Sequence, residues 1–182
     1  MLKKVDKNKK LIEACILNNA KAQMQLYDLY CNAMFTIAVR YVNNSMVAED
    51  LMQEAFIKVF KNLEHFKGEV TLGAWIKKIV INQCIDYLKK KKIELVALHE
   101  NTLNIVIDND WSVNEEVSVL QIKKTIDSLP EKYKVVLNLY LIEGYSHSEI
   151  AQILNISEVA SRSQLMRGKN KLKSKLKEYN YV

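Results

Sequence analysis

Four glycines and one proline are all that this 182-residue chain holds of the residues whose backbone chemistry works most strongly against a helix. Leu, Lys, Ala, Glu, Met and Gln, which lose little on entering one, are abundant. The chain is therefore expected to be mostly helical. With 49% hydrophobic and 26% charged residues it has material for a core, arranged as one ordinary domain or two small ones. No repeat at solenoid period is evident.

Apolar spacing places the first helices. From Ala22 to Tyr41, Met24, Leu26, Leu29, Tyr30, Ala33, Ile37 and Ala38 recur at threes and fours, as a helix packed on one side requires. A second helix is expected to be capped by Ser45, with Glu49 and Asp50 in or near its first turn and Leu51, Met52, Ala55, Val59 and Phe60 on its apolar face. The stretch His65-Phe66-Lys67-Gly68-Glu69 breaks it. Thr71 can cap a third helix through Trp75, Ile76, Ile79, Val80, Cys84, Ile85 and Leu88, closing in the run Lys89 to Lys92. Three helices sharing a core make a first domain.

Charge divides the chain into three. Residues 1–92 carry 16 Lys/Arg against 9 Asp/Glu, residues 93–119 carry none against 6, and residues 120–182 carry 11 against 6. The resulting net charge of +6 favours an anionic partner: nucleic acid, a membrane surface or an acidic protein. The acidic middle has weak helical periodicity and many Asn and Asp, and reads as a linker, although Leu103, Ile105, Val106, Ile107 and Trp111 are apolar for a fully solvated one. Cys15, Cys31 and Cys84 are odd in number and lack CxxC spacing, which suits buried thiols in a reducing cytoplasm rather than disulfides or metal ligands. The basic N-terminus makes a poor signal peptide, and no stretch of 18 apolar residues offers a membrane span.

A second helical domain begins before Ser128-Leu129-Pro130-Glu131, where the proline suits the first turn of a helix. Its expected core includes Tyr133, Val136, Leu137, Tyr140 and Leu141, with Gly144 as the stop. Ser146 can then cap a helix through Leu154, Asn155 sits where a sharp turn needs positive φ, and Ser157 can cap the next helix. Small Ala151 would let the two helices cross closely. The last helix is expected to bury Val159, Leu165 and Leu172 and to present Arg162, Ser163, Met166 and Arg167, as a helix-turn-helix does to a major groove. Between Arg162 and Lys177 lie seven positive charges and no negative one, a face without i,i+4 pairing that favours phosphate contact.

In the first domain, AEDLMQEAFIKVFKNLEHF sets Asp50, Gln53, Glu54 and Ile57 at spacings of three and four, an acid-bearing stripe opposite the apolar face. With TLGAWIKKIVINQCIDYLKKKK and LPEKYKVVLNLYLIEGYSHSEIAQILNISEVASRSQLMRGKNKLK, this stretch resembles the bacterial sigma-70 family, specifically its compact two-domain extracytoplasmic-function (ECF) group. The matching parts, about residues 20–92 and 121–178, flank the acidic segment in the family's order. Departures stand at Asn155, where the family usually has Gly, at Val159-Ala160, where it has Gly-Thr, and at Leu72, where it has Phe.

The resemblance implies an all-α fold of two small helical domains: a region 2 bundle over 8–92, a flexible acidic linker over 93–120 and a region 4 helix-turn-helix over 121–180. It implies a factor that binds core RNA polymerase, recognises the minus-ten and minus-thirty-five promoter elements and promotes transcription initiation, with no catalysis, cofactor or metal of its own. Asp50, Gln53, Glu54 and Ile57 would then meet the β′ clamp helices, with the β flap as a second polymerase contact. Phe66, Lys67, Gly68, Glu69 and Val70, with Trp75, Lys78 and Asn82, would handle the minus-ten element, where a loop between rigid helices beside Lys67, Lys77 and Lys78 offers cavity and positive field to an unstacked base. Trp75 taken by itself reads first as core. Arg162, Ser163, Met166, Arg167 and Lys169 would face the minus-thirty-five element. The acidic segment is similar to the one that threads the polymerase's RNA-exit path, and equally to a plain spacer. An anti-sigma partner and a cytoplasmic setting without membrane insertion are implied as well.

Two other classes remain to be weighed. A free-standing helix-turn-helix regulator would use residues 1–92 for sensing or dimerising and bind a two-fold site by itself. An enzyme is disfavoured, because His65, His99 and His147 are scattered, no phosphate-cradling glycine loop occurs and the carboxylates lack metal-ligand spacing.

Overall fold

The computed structural model describes residues 6–95 and 118–179, and every regular element there is helical. The chain divides into two compact units between Leu95 and Val96. Most of the acidic segment expected as a linker, residues 96–117, lies outside the described residues; at its edges helix runs to Leu95 and begins again at Val119.

The first unit holds α1 (Asp6–Ile16), α2 (Ala20–Val42), α3 (Ser45–Asn62), a 3-10 turn (Leu63–His65) and α4 (Leu72–Leu95). Helices α2, α3 and α4 pack on one another, burying Leu26, Ala38 and Tyr41 from α2, Ala48, Ala55 and Val59 from α3, and Ile76, Val80, Ile81 and Cys84 from α4. Each large side chain taken fully out of water contributes about 1.5–3 kcal/mol, which is what holds three helices of unremarkable propensity together. Asparagines make the corners. Asn43 ends α2 at φ 55°, its N–H bonding to the Val39 carbonyl, and Asn44 opens α3 by accepting from the Val47 N–H at 3.0 Å. The cap is thus Asn44 rather than the expected Ser45, which is the first residue inside the helix. Glu49 and Asp50 fall directly after the first turn of α3, which itself carries no acid. Thr71 accepts from the Ala74 N–H at 3.3 Å where α4 begins. Helix α1, which periodicity did not single out, packs on α2 and on the 3-10 turn and buries Cys15.

The second unit holds α5 (Val119–Asp127), α6 (Glu131–Leu137), a π-helical turn (Asn138–Ile142), α7 (His147–Leu154) and α8 (Glu158–Tyr179). Reciprocal capping boxes open two of them, Ser118 with Gln121 at α5 and Ser146 with Glu149 at α7. Pro130 sits at the cap of α6, one residue ahead of its first turn. The long α8 packs on α5, α6 and α7 and buries Ser161, Leu165, Gly168, Leu172 and Leu176 along one stripe. Val159, expected inside, is 72% exposed, and Ser161 occupies the buried register instead. The close approach to α6 is at Gly168, where an added Cβ would lie 3.1 Å from Leu137 Cδ1 and 3.3 Å from Tyr133 Cβ.

The π-helical turn explains a second correction. Its wider winding, closed by the Glu143 N–H on the Asn138 carbonyl at 3.0 Å, slips the α-helical register. Leu139 is fully buried, while the expected core residues Tyr140 and Leu141 are 36% and 44% exposed. Asn138 is buried with neither its amide oxygen nor its amide nitrogen hydrogen-bonded. Gly144, at φ 76°, ends the turn as expected.

Candidate functional site

Three sets of side chains carry the functional expectation. The first lies on α3, whose inward face is Leu51, Met52, Ala55, Phe56 and Val59. That packing leaves Asp50, Gln53, Glu54 and Ile57 on the outside, with Ile57 53% exposed. Gln53 donates to Glu49 Oε1 at 3.5 Å along the same helix. Glu54 is tied across to α4: Gln83 Nε2 donates to its carboxylate, and Lys58 Nζ donates to Gln83 Oε1. The surface is an acid row with an apolar residue at its end, and Gln83 was not singled out from spacing because it stands on another helix.

The second set surrounds the break before α4. After the 3-10 turn, Phe66 is extended (φ −70°, ψ 107°) and its ring rests on Trp75 at 5.4 Å between centroids, tilted 54°. Trp75 is half-buried, packed on an aromatic yet not enclosed. Gly68 adopts φ 74°, a conformation that side-chain-bearing residues avoid, and has open space where a Cβ would be. Lys67, Glu69 and Val70 are exposed. On α4, Lys78 and Asn82 follow Trp75 by three and seven residues, hence on the same face, and both are exposed. Loop and helix face therefore adjoin through the Phe66–Trp75 contact.

The third set is the helix-turn-helix. Asn155 takes φ 55°, ψ 52°, and the Ile156 N–H reaches back to the Ala151 carbonyl at 3.0 Å, so the chain reverses within three residues. Ser157 then accepts from the Ala160 N–H at 3.1 Å to start α8. Arg162 is exposed, and Ser163, Met166, Arg167 and Lys169 are half-buried. The face is not wholly without pairing: Arg162 Nη2 lies 3.3 Å from Glu158 Oε2, an i,i+4 bridge. Lys169 Nζ is 6.0 Å from the centre of the Tyr140 ring. Tyr140 in turn stacks on His147 at 4.7 Å and 26°, and His147 Nδ1 is 2.9 Å from the buried Ser161 hydroxyl. Burial, aided by the Arg162 and Lys169 charges and opposed by Glu158, holds the imidazole below its ordinary pKa. Sequence periodicity gave no reason to join these residues, since the π-helical turn is what brings Tyr140 outward.

Outside these sets, burial pushes the Cys84 thiol up to about 12 and raises that of Cys15, which disfavours the reactive thiolate at both. Cys31, expected buried, is half-buried, with its thiol 3.8 Å from the Asp28 carbonyl. Among the described residues no helix is long and apolar enough to cross a membrane, and no group of three or more His, Cys, Asp or Glu is placed to hold a metal.

Comparison with known proteins follows the same division. The Sigma-70 region 2 family model matches residues 26–93, and that of Sigma-70, region 4 matches residues 120–172. The ECF RNA polymerase sigma factor SigW of Bacillus subtilis is 29% identical over 181 residues, covering 93% of this chain and 97% of the relative. The RNA polymerase sigma factor SigZ of the same organism is 31% identical over 154 residues, 83% of this chain and 85% of the relative. Among solved structures, the sigma factor RpoE in complex with the anti-sigma factor NepR from Bartonella quintana has a TM-score of 0.54 at 22% identity, covering 85% of this chain and 96% of that one. CnrH in complex with the cytosolic domain of CnrY has a TM-score of 0.53 at 20% identity, covering 94% and 97%. At such identities these two likenesses speak to the fold.

Proposed function

The chain belongs to the sigma-70 family of RNA polymerase sigma factors, in its extracytoplasmic-function group, and on that premise we propose which of its surfaces does what. A sigma factor is a transcription initiation factor and not an enzyme; its work is done by docking and by holding DNA.

In this reading the exposed row Asp50, Gln53, Glu54 and Ile57 docks on the β′ clamp helices of core polymerase. The observation that carries it is the outward placement of two carboxylates and a bare isoleucine on a helix whose other side is fully used by the core. Ile57, 53% exposed beside those carboxylates, gives this face the pairing of apolar contact and charged rim that interfaces use. Phe66 to Val70, with Trp75, Lys78 and Asn82, takes the minus-ten element: the loop is open at Gly68, an aromatic pair offers a stacking surface, and the lysines supply charge. Arg162, Ser163, Met166 and Arg167 read the minus-thirty-five element in duplex form, with Lys169 towards the backbone. The second unit also meets the β flap. An anti-sigma factor holds the protein inactive at rest, and the protein acts in the cytoplasm, where its polymerase and DNA are.

Mixing the purified protein with core polymerase on a promoter library tests this. Specific initiation at a fixed distance downstream of two short elements is expected, with weak promoter binding by the protein alone. Tight binding of the isolated protein to a two-fold site, with no initiation on adding core, would establish the free-standing regulator instead.

A further inference from the structure

One polar pair, a buried serine and a half-buried histidine, has no part in that reading. Ser161 is fully buried on the stripe by which α8 packs on its unit, where an apolar side chain would serve the core better. Its hydroxyl lies 2.9 Å from Nδ1 of His147, the first residue of α7. The same imidazole stacks on Tyr140 of the π-helical turn, whose ring centre is 6.0 Å from Lys169 Nζ on α8. One half-buried ring on α7 thus touches two other elements, α8 through a hydrogen bond and the π-helical turn through stacking.

We infer that His147 is a positioning residue for the DNA-reading helix: by bonding Ser161 and stacking on Tyr140 it sets the rotation of α8 about its axis, and so where Arg162, Met166 and Lys169 point. The inference rests on the reading of α8 as the upstream-element reader. Side-chain tips ride roughly 5–6 Å from a helix axis, so a turn of only about 10° displaces them by about 1 Å. That is enough to spoil a base-edge hydrogen bond whose useful range spans about 0.5 Å. Apolar packing at Leu165, Leu172 and Leu176 holds α8 along its length, and the hydrogen bond to Ser161 adds a directional constraint at the N-terminal turn, next to Arg162 and Ser163. The charged groups facing the imidazole are Arg162, Lys169 and Glu158. Burial first, then two cations against one anion, favour its neutral form, and in either tautomer a neutral ring pairs with a hydroxyl that can donate or accept.

The test assembles holoenzyme with wild type, Ser161→Ala, His147→Phe and the double variant. It compares affinity for a promoter with an intact upstream element against one with that element scrambled, and records melting of each free protein. Ser161→Ala keeps a good helix former in place, so it carries the test even where His147→Phe folds poorly. Each single variant is expected to lower the intact-to-scrambled ratio about five- to tenfold, with affinity for the scrambled promoter unchanged. The double variant, which strands no buried hydroxyl, is expected to melt nearer to wild type yet keep the lowered ratio. A ratio for Ser161→Ala within twofold of wild type, or a double variant that regains the ratio along with its melting temperature, overturns the inference. A wild type indifferent to the upstream element overturns the reading of α8 itself, and this inference with it.

Discussion

Gln83 on α4 donates a hydrogen bond from Nε2 to the carboxylate of Glu54 on α3, and its amide oxygen receives Lys58 Nζ in return. One amide thus ties an acid of the proposed docking row to α4 and stands between it and Lys58. Gln83→Leu should leave the fold intact, since all three groups lie at the surface, and weaken core-polymerase binding about two- to fivefold, the scale of one solvent-exposed hydrogen bond to a charge. A cycle with Glu54→Gln should be non-additive by about 0.5 kcal/mol or more, because the two share one contact. Equilibrium binding to core polymerase measures both.

Arg162 is held by Glu158 at 3.3 Å while exposed, so reaching DNA requires leaving that bridge. Such bridges contribute about 0.3–0.5 kcal/mol and are screened by salt. Glu158→Gln should therefore tighten holoenzyme binding to the upstream element slightly, and mainly at low salt. Arg162→Ala or Arg167→Ala should weaken it by about 1–3 kcal/mol if the lost contact is to a base. Salt-dependent footprinting separates the two outcomes.

The depressed pKa of His147 fixes the sign of a pH effect. The unfolded chain takes up a proton near pH 6.5, whereas the folded unit does so only at lower pH. Stability from this group is complete above about 6.5 and is lost as the pH falls below it. The melting temperature of the second unit should drop between about pH 7 and pH 5 more in wild type than in His147→Phe. Equal drops would place the titrating group elsewhere.

Asn138 and Gly168 make opposite stability predictions within the same core. Asn138 is buried with an unpartnered amide, so Asn138→Leu should stabilise the second unit by about 1–3 kcal/mol. Gly168→Ala adds a methyl 3.1 Å from the side chain of fully buried Leu137 and 3.3 Å from Tyr133 Cβ, which no rotamer change can move aside. Overpacking of about 1–3 kcal/mol should exceed the gain of about 1 kcal/mol in helix propensity, and the variant should melt lower. Thermal unfolding checks both.

Where the backbone is a regular α-helix, apolar spacing in the sequence reports which side faces in, and α3 and α4 were legible for that reason; α2 was legible as a helix, but of its expected inward face Met24, Leu29 and Ala33 are exposed, and Ala22 and Met34 are buried with Leu26, Ala38 and Tyr41 instead. Turn chemistry was legible at Asn155, Ser146 and Ser157, because positive φ and helix N-termini each accept few residue types. Tyr140 and Leu141 were misplaced because a π-helical turn adds a residue to the winding, a shift that no composition marks. Val159 was misplaced because Ser161, a polar residue with a partner on another helix, takes the buried position. Helix α1 was missed although Leu11, Ile12, Cys15 and Ile16 stand at helical spacing, because the lysines crowding its first turns mask that pattern. The acid-bearing row of α3 and the break before α4 were visible as patterns, but Gln83, His147 and Ser161 make contacts across elements, and contacts between helices leave no spacing to read.

The central claim is that the acid row of α3 grips polymerase and thereby makes α8 a guide for that enzyme. Its most direct measurement is co-elution of core RNA polymerase with wild type and with the Asp50→Lys/Glu54→Lys variant, alongside melting of each. Both positions are exposed, so the variant should melt like wild type. Reversed charge at the interface should weaken core binding at least about tenfold and abolish initiation. A variant that folds, binds core as wild type does and still initiates would contradict the account.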